Sequence, residues 1–297
     1  MLEVVIVGER NSGKTTFLGL LYATQVRFGS DKADSLRFHA TIESLEMITL
    51  VYQQLMSGTF PDPVTKQAIG DMSFQLGYRR GRAGKDWSPD EFTTIHLTLK
   101  GTGVGGTHRP QSSSSVTGGG LNGRDGSSDV VVVLVDSTKL AAKGEPAEPG
   151  PLSSLDGAVA SLLAGIQRPS DRGARLYPII ILSKFDRVRP EALRTAQVAA
   201  APPAARDARR RAAYTEALLS PNLPRTLAIL RSREKDRSGF AKPAYLFSWV
   251  RTETAPGVPD RIRLRRIEVA GWEPDYSSSE CLSFLGYLAD ISAHSGH

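Results

Sequence analysis

Residues 8 to 15 read Gly8-Glu9-Arg10-Asn11-Ser12-Gly13-Lys14-Thr15, a full G-x-x-x-x-G-K-[ST] pattern, and no other stretch of the chain restricts the fold so tightly. Leu2-Glu3-Val4-Val5-Ile6-Val7 before it reads as a buried strand, and Thr16-Phe17-Leu18-Gly19-Leu20-Leu21-Tyr22 after it reads as the start of a helix. Strand, glycine-rich loop and helix in that order aim a row of backbone N–H groups from the positive end of the helix, an arrangement that binds polyphosphate. In such a loop Lys14 reaches the β- and γ-phosphates and Thr15 ligates Mg²⁺. Gly8, Glu9, Arg10, Asn11, Ser12, Gly13, Lys14, Thr15 and Thr16 are therefore the candidate phosphate site.

The 297 residues, 40% of them hydrophobic, are enough for one elaborated α/β domain spanning 1–297. A net charge of +6 would suit an anionic partner, but the cations are scattered. Their densest run, Arg206-Asp207-Ala208-Arg209-Arg210-Arg211, reads as a solvated helix face, so nucleic acid is not the expected partner. A single cysteine, Cys281, excludes an intramolecular disulfide, and the chain enters its first strand without a charged leader, which together predict a cytoplasmic protein. The longest apolar run, Val130 to Val135, falls far short of the ~20 residues that span a bilayer, so no membrane insertion is expected.

Apolar residues at helical spacing continue from Thr16 to Phe28 and return at Ile42, Leu45, Ile48, Tyr52, Leu55 and Met56, predicting a second helix directly after the first. It ends at Gly58, before the proline-stiffened Phe60-Pro61-Asp62-Pro63-Val64-Thr65. Alternation at Met72, Phe74, Leu76 and Tyr78, and again at Ile95, Leu97 and Leu99, predicts an antiparallel pair of strands. Residues 101–129, rich in glycine and serine, are expected to form a flexible loop. Val130 to Asp136 and Tyr177 to Leu182 are continuous apolar runs of the kind buried on both faces of a parallel sheet. Helices are expected around 152–166, 189–200, 207–219 and 224–232, with a further strand at Ala244 to Val250. The extension from 251 to 297 reads as one exposed strand, Arg261 to Val269, and a helix over 277–294 opened by a Ser277-x-x-Glu280 capping box. Strands alternating with helices behind a phosphate loop predict a doubly wound α/β domain.

Leu182-Ser183-Lys184-Phe185-Asp186 lies at the carboxyl end of a buried strand, where ligands of open α/β sheets gather. Here the chain resembles the GTPases, whose base-reading motif is Asn-Lys-x-Asp. The resemblance implies that Asp186 accepts hydrogen bonds from guanine and that Lys184 covers the base. Ser183 stands where the family has the asparagine that ties loops together. Ser248, with Trp249, falls where the family places a short Ser-Ala-Lys-like loop against the guanine oxygen. Within the translation-factor-related class, the sequence is most similar to bacterial double-GTPase-like domains. The likeness rests on the Ser-Gly-Lys-Thr-Thr-Phe-Leu start, the extra helix before Gly-x-Phe-Pro-x-Pro-x-Thr, and the long region between the base motif and the last strand. It implies a three-layer P-loop NTPase fold of the Ras-like kind, a mixed, mostly parallel sheet with one antiparallel edge strand, GTP or GDP with Mg²⁺ as ligands, and a protein effector or assembly partner.

GTPases sense the γ-phosphate with two loops, one lending a threonine to Mg²⁺ and one carrying Asp-x-x-Gly. By position Thr65 is the first, with Thr59 behind it, and Gly103 supplies the glycine amide of the second. Lys100 occupies the place of the acid, and His108 and Arg109 follow in the loop. The expectation is a GTP-binding switch with slow Mg²⁺-dependent hydrolysis, Lys14 and Thr65 acting on the phosphates. Two alternatives stand beside it: a non-catalytic nucleotide-binding scaffold, and an ATPase or kinase using Asp136 as its metal acid.

Overall fold

The computed structural model describes residues 2–28, 35–39, 42–62, 65, 73–79, 92–99, 128–141, 152–165, 175–235, 240–255, 258–268 and 272–295. Its frame is a seven-stranded sheet in the order β2-β3-β4-β1-β5-β6-β7. These strands are β1 (Leu2–Gly8), β2 (Ser35–His39), β3 (Ser73–Arg79), β4 (Phe92–Leu99), β5 (Ser128–Asp136), β6 (Leu176–Ser183) and β7 (Ala244–Phe247). From β4 through β1, β5 and β6 to β7 every pairing is parallel.

The antiparallel pair predicted from alternation is β3 with β4. The predicted place of the antiparallel strand is corrected, because β3 is not the edge: β2 pairs antiparallel to its outer side and takes that position. β2 interrupts what read as two successive helices. Five residues supply only Leu36 and Phe38 as alternating apolar positions, too few to stand out between two longer helical patterns.

The continuous apolar runs behave as their composition requires. Val130 to Val135 and Ile179 to Leu182 are buried throughout, with alternate residues facing opposite layers. Val4, Ile6, Val130, Val132, Leu134, Ile179 and Ile181 pack with α1 (Lys14–Phe28), α2 (Ile42–Met56) and the last helix. Val5, Val7, Val131, Val133, Val135, Ile180 and Leu182 pack with α3 (Ser153–Gly165), α5 (Ala208–Leu219) and α6 (Pro224–Lys235). The short α4 (Pro190–Thr195) adds Ala192 and Leu193 to that second layer. Each buried Val, Leu or Ile contributes about 1.5–3 kcal/mol relative to exposure, so the two apolar layers fix the strand ends that carry the loops described next.

The predicted exposed strand over Arg261 to Val269 is two strands. It breaks at Arg265 into β9 (Val258–Leu264), which pairs antiparallel with β8 (Thr252–Ala255), and β10 (Arg266–Glu268), which pairs antiparallel with β11 (Trp272–Pro274). The last helix, α7 (Ser278–Ser295), lies on α1, with Phe17 and Phe284 edge to face at 5.4 Å. Cys281 is buried in this contact, and burial pushes its thiol up to about 12, which leaves it an inert packing group.

Candidate functional site

The candidate phosphate loop is built by backbone shape. Gly8 ends β1 so close to its neighbours that a Cβ there would lie 2.7 Å from Ser12 Oγ and 2.8 Å from the Leu134 carbonyl oxygen. Asn11 (φ 65°) and Gly13 (φ 95°) take left-handed conformations, and the Ser12 N–H donates to the Glu9 carbonyl at 3.2 Å. Such alternation around a turn directs successive N–H groups into one concavity, which α1 extends from Lys14 onward. Lys14 Nζ donates to the carbonyl oxygens of Gly8 and Glu9, 2.7 Å each. Burial lowers its pKa from 10.5 to about 8, against the opposing effect of the Glu9 carboxylate. That carboxylate itself turns away, accepting from Lys139 Nζ at 2.6 Å and from Ser154 Oγ at 3.4 Å. Arg10 and Asn11 are exposed on the rim, while Thr15 and Thr16 are half-buried at the helix start.

The ends of β5 and β6 approach this loop from the side. Ser183 Oγ lies 2.7 Å from the Ser12 carbonyl oxygen and 3.1 Å from that of Val135. A hydroxyl has one proton to share between these acceptors, so Ser183 makes the tie between loop and sheet with half the donors of an amide. Lys184 takes a left-handed conformation (φ 51°) and places Nζ 2.5 Å from Asp136 Oδ2. The other Asp136 oxygen accepts from the Thr138 N–H at 3.1 Å and the Thr138 hydroxyl at 2.7 Å, capping the 3-10 turn Ser137–Lys139. Asp186 sits in the next 3-10 turn, Phe185–Arg187, and is exposed. Surrounding protein nonetheless displaces enough solvent to raise its carboxyl above the ordinary value, opposed by its own backbone N–H and by Arg187 and Arg251.

The third component follows β7. The Ser248 N–H donates to the Leu182 carbonyl at 2.8 Å, and the Ser248 carbonyl accepts from the Phe185 N–H at 3.1 Å, joining the ends of β6 and β7. Trp249 is held from α7: its N–H donates to Ser277 Oγ at 3.0 Å, and its carbonyl accepts from the Ser277 N–H at 3.1 Å. The predicted capping box is thereby corrected. Ser277 spends its side chain on Trp249, and Glu280 accepts from Arg211 Nη1 at 2.8 Å, from Arg211 Nη2 and from the Phe247 N–H at 3.1 Å. A buried guanidinium and a backbone donor outcompete a helix N-terminus for the one carboxylate in reach.

These segments line an open cleft of about 100 Å³. Gly13, Thr16, Ser183, Lys184, Asp186, Ser248 and Trp249 all line it, so residues singled out from three distant stretches of sequence meet in one place. Phe17, Leu20, Phe60, Arg187, Val250 and Thr252 complete the lining. Sequence reasoning singled out none of those six as site residues, although Phe17 and Leu20 stood in the helix after the loop, Phe60 in the proline-stiffened segment and Val250 at the end of a predicted strand.

Thr65 does not line the cleft. It is buried, with its hydroxyl donating to Asp62 Oδ2 at 2.9 Å and its N–H to Asp62 Oδ1 at 2.8 Å. Thr59 is exposed and donates to the Gln54 carbonyl at 3.0 Å. Lys100, Gly103, His108 and Arg109 lie outside the described residues, as do residues 101–127 of the predicted loop 101–129; its last two residues are corrected to the start of β5. Among the described residues, no group of three His, Cys, Asp or Glu side chains could hold a metal ion, and no helix is long and apolar enough to cross a membrane. No protein-family model matches the sequence, and a search of curated proteins finds no match.

Proposed function

We propose that this protein is a cytoplasmic GTP-binding protein of the Ras-like P-loop kind, acting as a nucleotide-controlled switch for a protein partner and hydrolysing GTP slowly. The observation that carries the reading is the convergence of Gly13 and Thr16, Lys184 and Asp186, and Ser248 and Trp249 on one cleft. The parallel run of strands with one antiparallel strand, β3, next to β4 agrees with that fold, β2 being an addition at the edge.

The loop suits a triphosphate in several respects. Its left-handed residues turn N–H groups inward, Lys14 brings a cation to its wall, and the Ser12 hydroxyl is buried with no partner among the described residues. Mg²⁺ would be held by the Thr15 hydroxyl and the phosphates, the usual manner for a hard cation that keeps most of its own water. When bound, it neutralises charge on the β- and γ-phosphate oxygens. Lys14 leaves the Gly8 and Glu9 carbonyls for those same oxygens, and the loop N–H groups hold the chain in line, so the protein contributes positioning and fixed charge. Thr65 would join only after its hydroxyl leaves Asp62. At the other end Asp186 accepts from the guanine N1–H and amino group, and the Lys184 stem covers the base.

Asp136 fits a structural post better than a metal acid, because its carboxylate is already spent on Thr138 and Lys184. Isothermal titration of nucleotide-free protein with GTP, GDP and ATP in Mg²⁺, followed by phosphate release on the same sample, tests the whole reading. Guanine-selective binding with turnover is expected. Binding without turnover would turn the protein into a scaffold, and a preference for ATP would defeat the base assignment.

A further inference from the structure

A loop that wraps phosphate gains from positive charge, yet the second residue of this one is an acid, and two other elements hold its carboxylate aside. Glu9 Oε2 accepts from Lys139 Nζ at 2.6 Å and Glu9 Oε1 accepts from Ser154 Oγ at 3.4 Å. The side chain thus leans onto the first turn of α3, the end of a helix that favours negative charge. Lys139 stands on a fixed base. Before it, Asp136 caps the 3-10 turn through the Thr138 N–H and hydroxyl. After it, Leu140 is fully buried, its carbonyl accepts from Arg189 Nε at 3.2 Å and Nη2 at 2.6 Å, and the Ala141 N–H donates to Asn222 Oδ1 at 2.8 Å. The glutamate side chain is 13% exposed and the lysine 36%, so the carboxylate is the member of the pair that the fold shields. Lys14 lies on the other side of the same residue. Among the described residues its Nζ bonds to the backbone oxygens of Gly8 and Glu9, 2.7 Å each, and not to a carboxylate. The Glu9 carboxylate still acts on it through space, opposing the effect of burial on the amine.

We infer that Lys139 is a positioning residue for phosphate binding: by holding the Glu9 carboxylate against α3, it leaves Lys14 on neutral oxygens that a phosphate can displace. The inference rests on the phosphate-site reading above. Two ammonium groups compete for one carboxylate, and the winner decides the state of the loop. In a partly buried site the attraction between two full charges exceeds that between an ammonium and a carbonyl dipole. Lys14 paired with Glu9 would have to break that stronger contact before meeting the β- and γ-phosphate oxygens. A released carboxylate would also set a negative charge beside an anionic ligand. With Lys139 engaged, neither cost arises, and Lys14 exchanges two carbonyls for the phosphates. The turn that delivers Lys139 begins at Asp136, whose Oδ2 accepts from Lys184 Nζ at 2.5 Å, so the restraint on the loop is built on the strand end that also holds Lys184.

The test is titration calorimetry of the full chain with GTP, ATP and inorganic triphosphate in Mg²⁺, with urea unfolding of each variant in parallel. Lys139→Ala should weaken all three about tenfold, between the effects of an exposed and a buried ion pair, and leave the ratio of GTP to ATP affinity as it was. Lys139→Arg, which keeps a cation for Glu9, should recover most of that loss. The deciding comparison is made in a Glu9→Gln protein, where there is no charge left to restrain. There, Lys139→Ala should change affinity for GTP and triphosphate by less than twofold. A lysine that merely braced its turn would cost the same with or without the Glu9 charge. Unchanged affinity in Lys139→Ala, or an equal tenfold loss in the Glu9→Gln background, would overturn the inference while leaving the phosphate site in place. A wild-type protein that binds neither GTP nor triphosphate would defeat the underlying reading, and this inference with it.

Discussion

The two ends of the cleft are made in different ways. The end we assign to phosphate comes from one contiguous stretch, Gly8 to Thr16, whose shape is written into its own backbone: a glycine where no Cβ fits, two left-handed residues and a helix start. The end we assign to the base comes from the turns after β6 and β7, joined by Ser183, Ser277 and Glu280. Local geometry sets the shape of the first end. The second exists only when the C-terminal third has docked. Damage to α7 should therefore loosen base recognition and leave phosphate recognition in place.

The largest effect falls on the joint between α5 and α7. Arg211 is buried, and its guanidinium is shared between Glu280, the Tyr245 carbonyl and the Pro203 and Ala204 carbonyls. Arg211→Ala leaves Glu280 with a buried, unpaired charge, and urea unfolding should show a loss of about 3–5 kcal/mol. If the comparison holds, the variant that remains folded in low urea keeps its affinity for inorganic triphosphate and loses guanine selectivity. Equal loss of both would mean that the two ends are not separable.

Lys14→Ala attacks the other end. Removing hydrogen bonds from a charged donor costs about 3 kcal/mol at most, so GTP, GDP and ATP should all bind about 100-fold more weakly by titration calorimetry. The same lysine predicts a pH dependence. Its pKa in the folded protein is about 8, below the ordinary 10.5, so the unfolded chain holds the extra proton between those values. The cost to stability is full below pH 8 and is relieved as pH rises toward 10.5. A bound triphosphate favours the ammonium, so binding above pH 8 takes up a proton and weakens by up to about tenfold per pH unit. Calorimetry at pH 8.5 in two buffers of different ionisation heat checks this directly; heats that do not differ would rule it out.

Legibility in the sequence followed the same division. A contiguous motif and unbroken apolar runs announce themselves, and the strand, loop and helix around Gly8–Thr15, the β3–β4 pair, β5 and β6 were readable for that reason. β2 was not, since two apolar residues in five make no pattern against flanking helices. The break at Arg265 was invisible because the residue chooses its partner across the fold: its N–H goes to Arg251 and its carbonyl to Asp275. Ser277-x-x-Glu280 matched a local capping rule and lost to the distant partners Trp249 and Arg211. Phe60 stood in the Gly-x-Phe-Pro-x-Pro-x-Thr segment, but its place on the cleft wall was not legible, because a wall assembled from tertiary contacts has no spacing to detect.

Asp186→Ala sharpens the contrast at intermediate size. The carboxylate is exposed, so its hydrogen bonds to guanine compete with water, and the loss should sit near the lower end for a charged acceptor, about tenfold for GTP and GDP. ATP binding should change less than twofold, since adenine presents no matching pair of donors. Guanine preference surviving in this variant would sink the assignment of the base end.

The smallest effect is expected where the two ends meet. Ser183 Oγ is the one side-chain bond between the base motif and the phosphate loop among the described residues, through the Ser12 carbonyl, and it reaches the Val135 carbonyl as well. Ser183→Ala removes a single shared proton from two buried acceptors, a cost of about 1 kcal/mol, so nucleotide affinity should fall about fivefold without a change in base preference. Ser183→Asn supplies two donors and could serve both carbonyls at once, but it must fit a larger group into a site where the serine is almost fully buried. Tighter GTP binding in Ser183→Asn, measured against Ser183→Ala, would show that the tie between the ends limits affinity in this protein. Equal affinity in all three would show that each end holds its part of the nucleotide alone, and the contrast between them would then extend to their energetics as well as their construction.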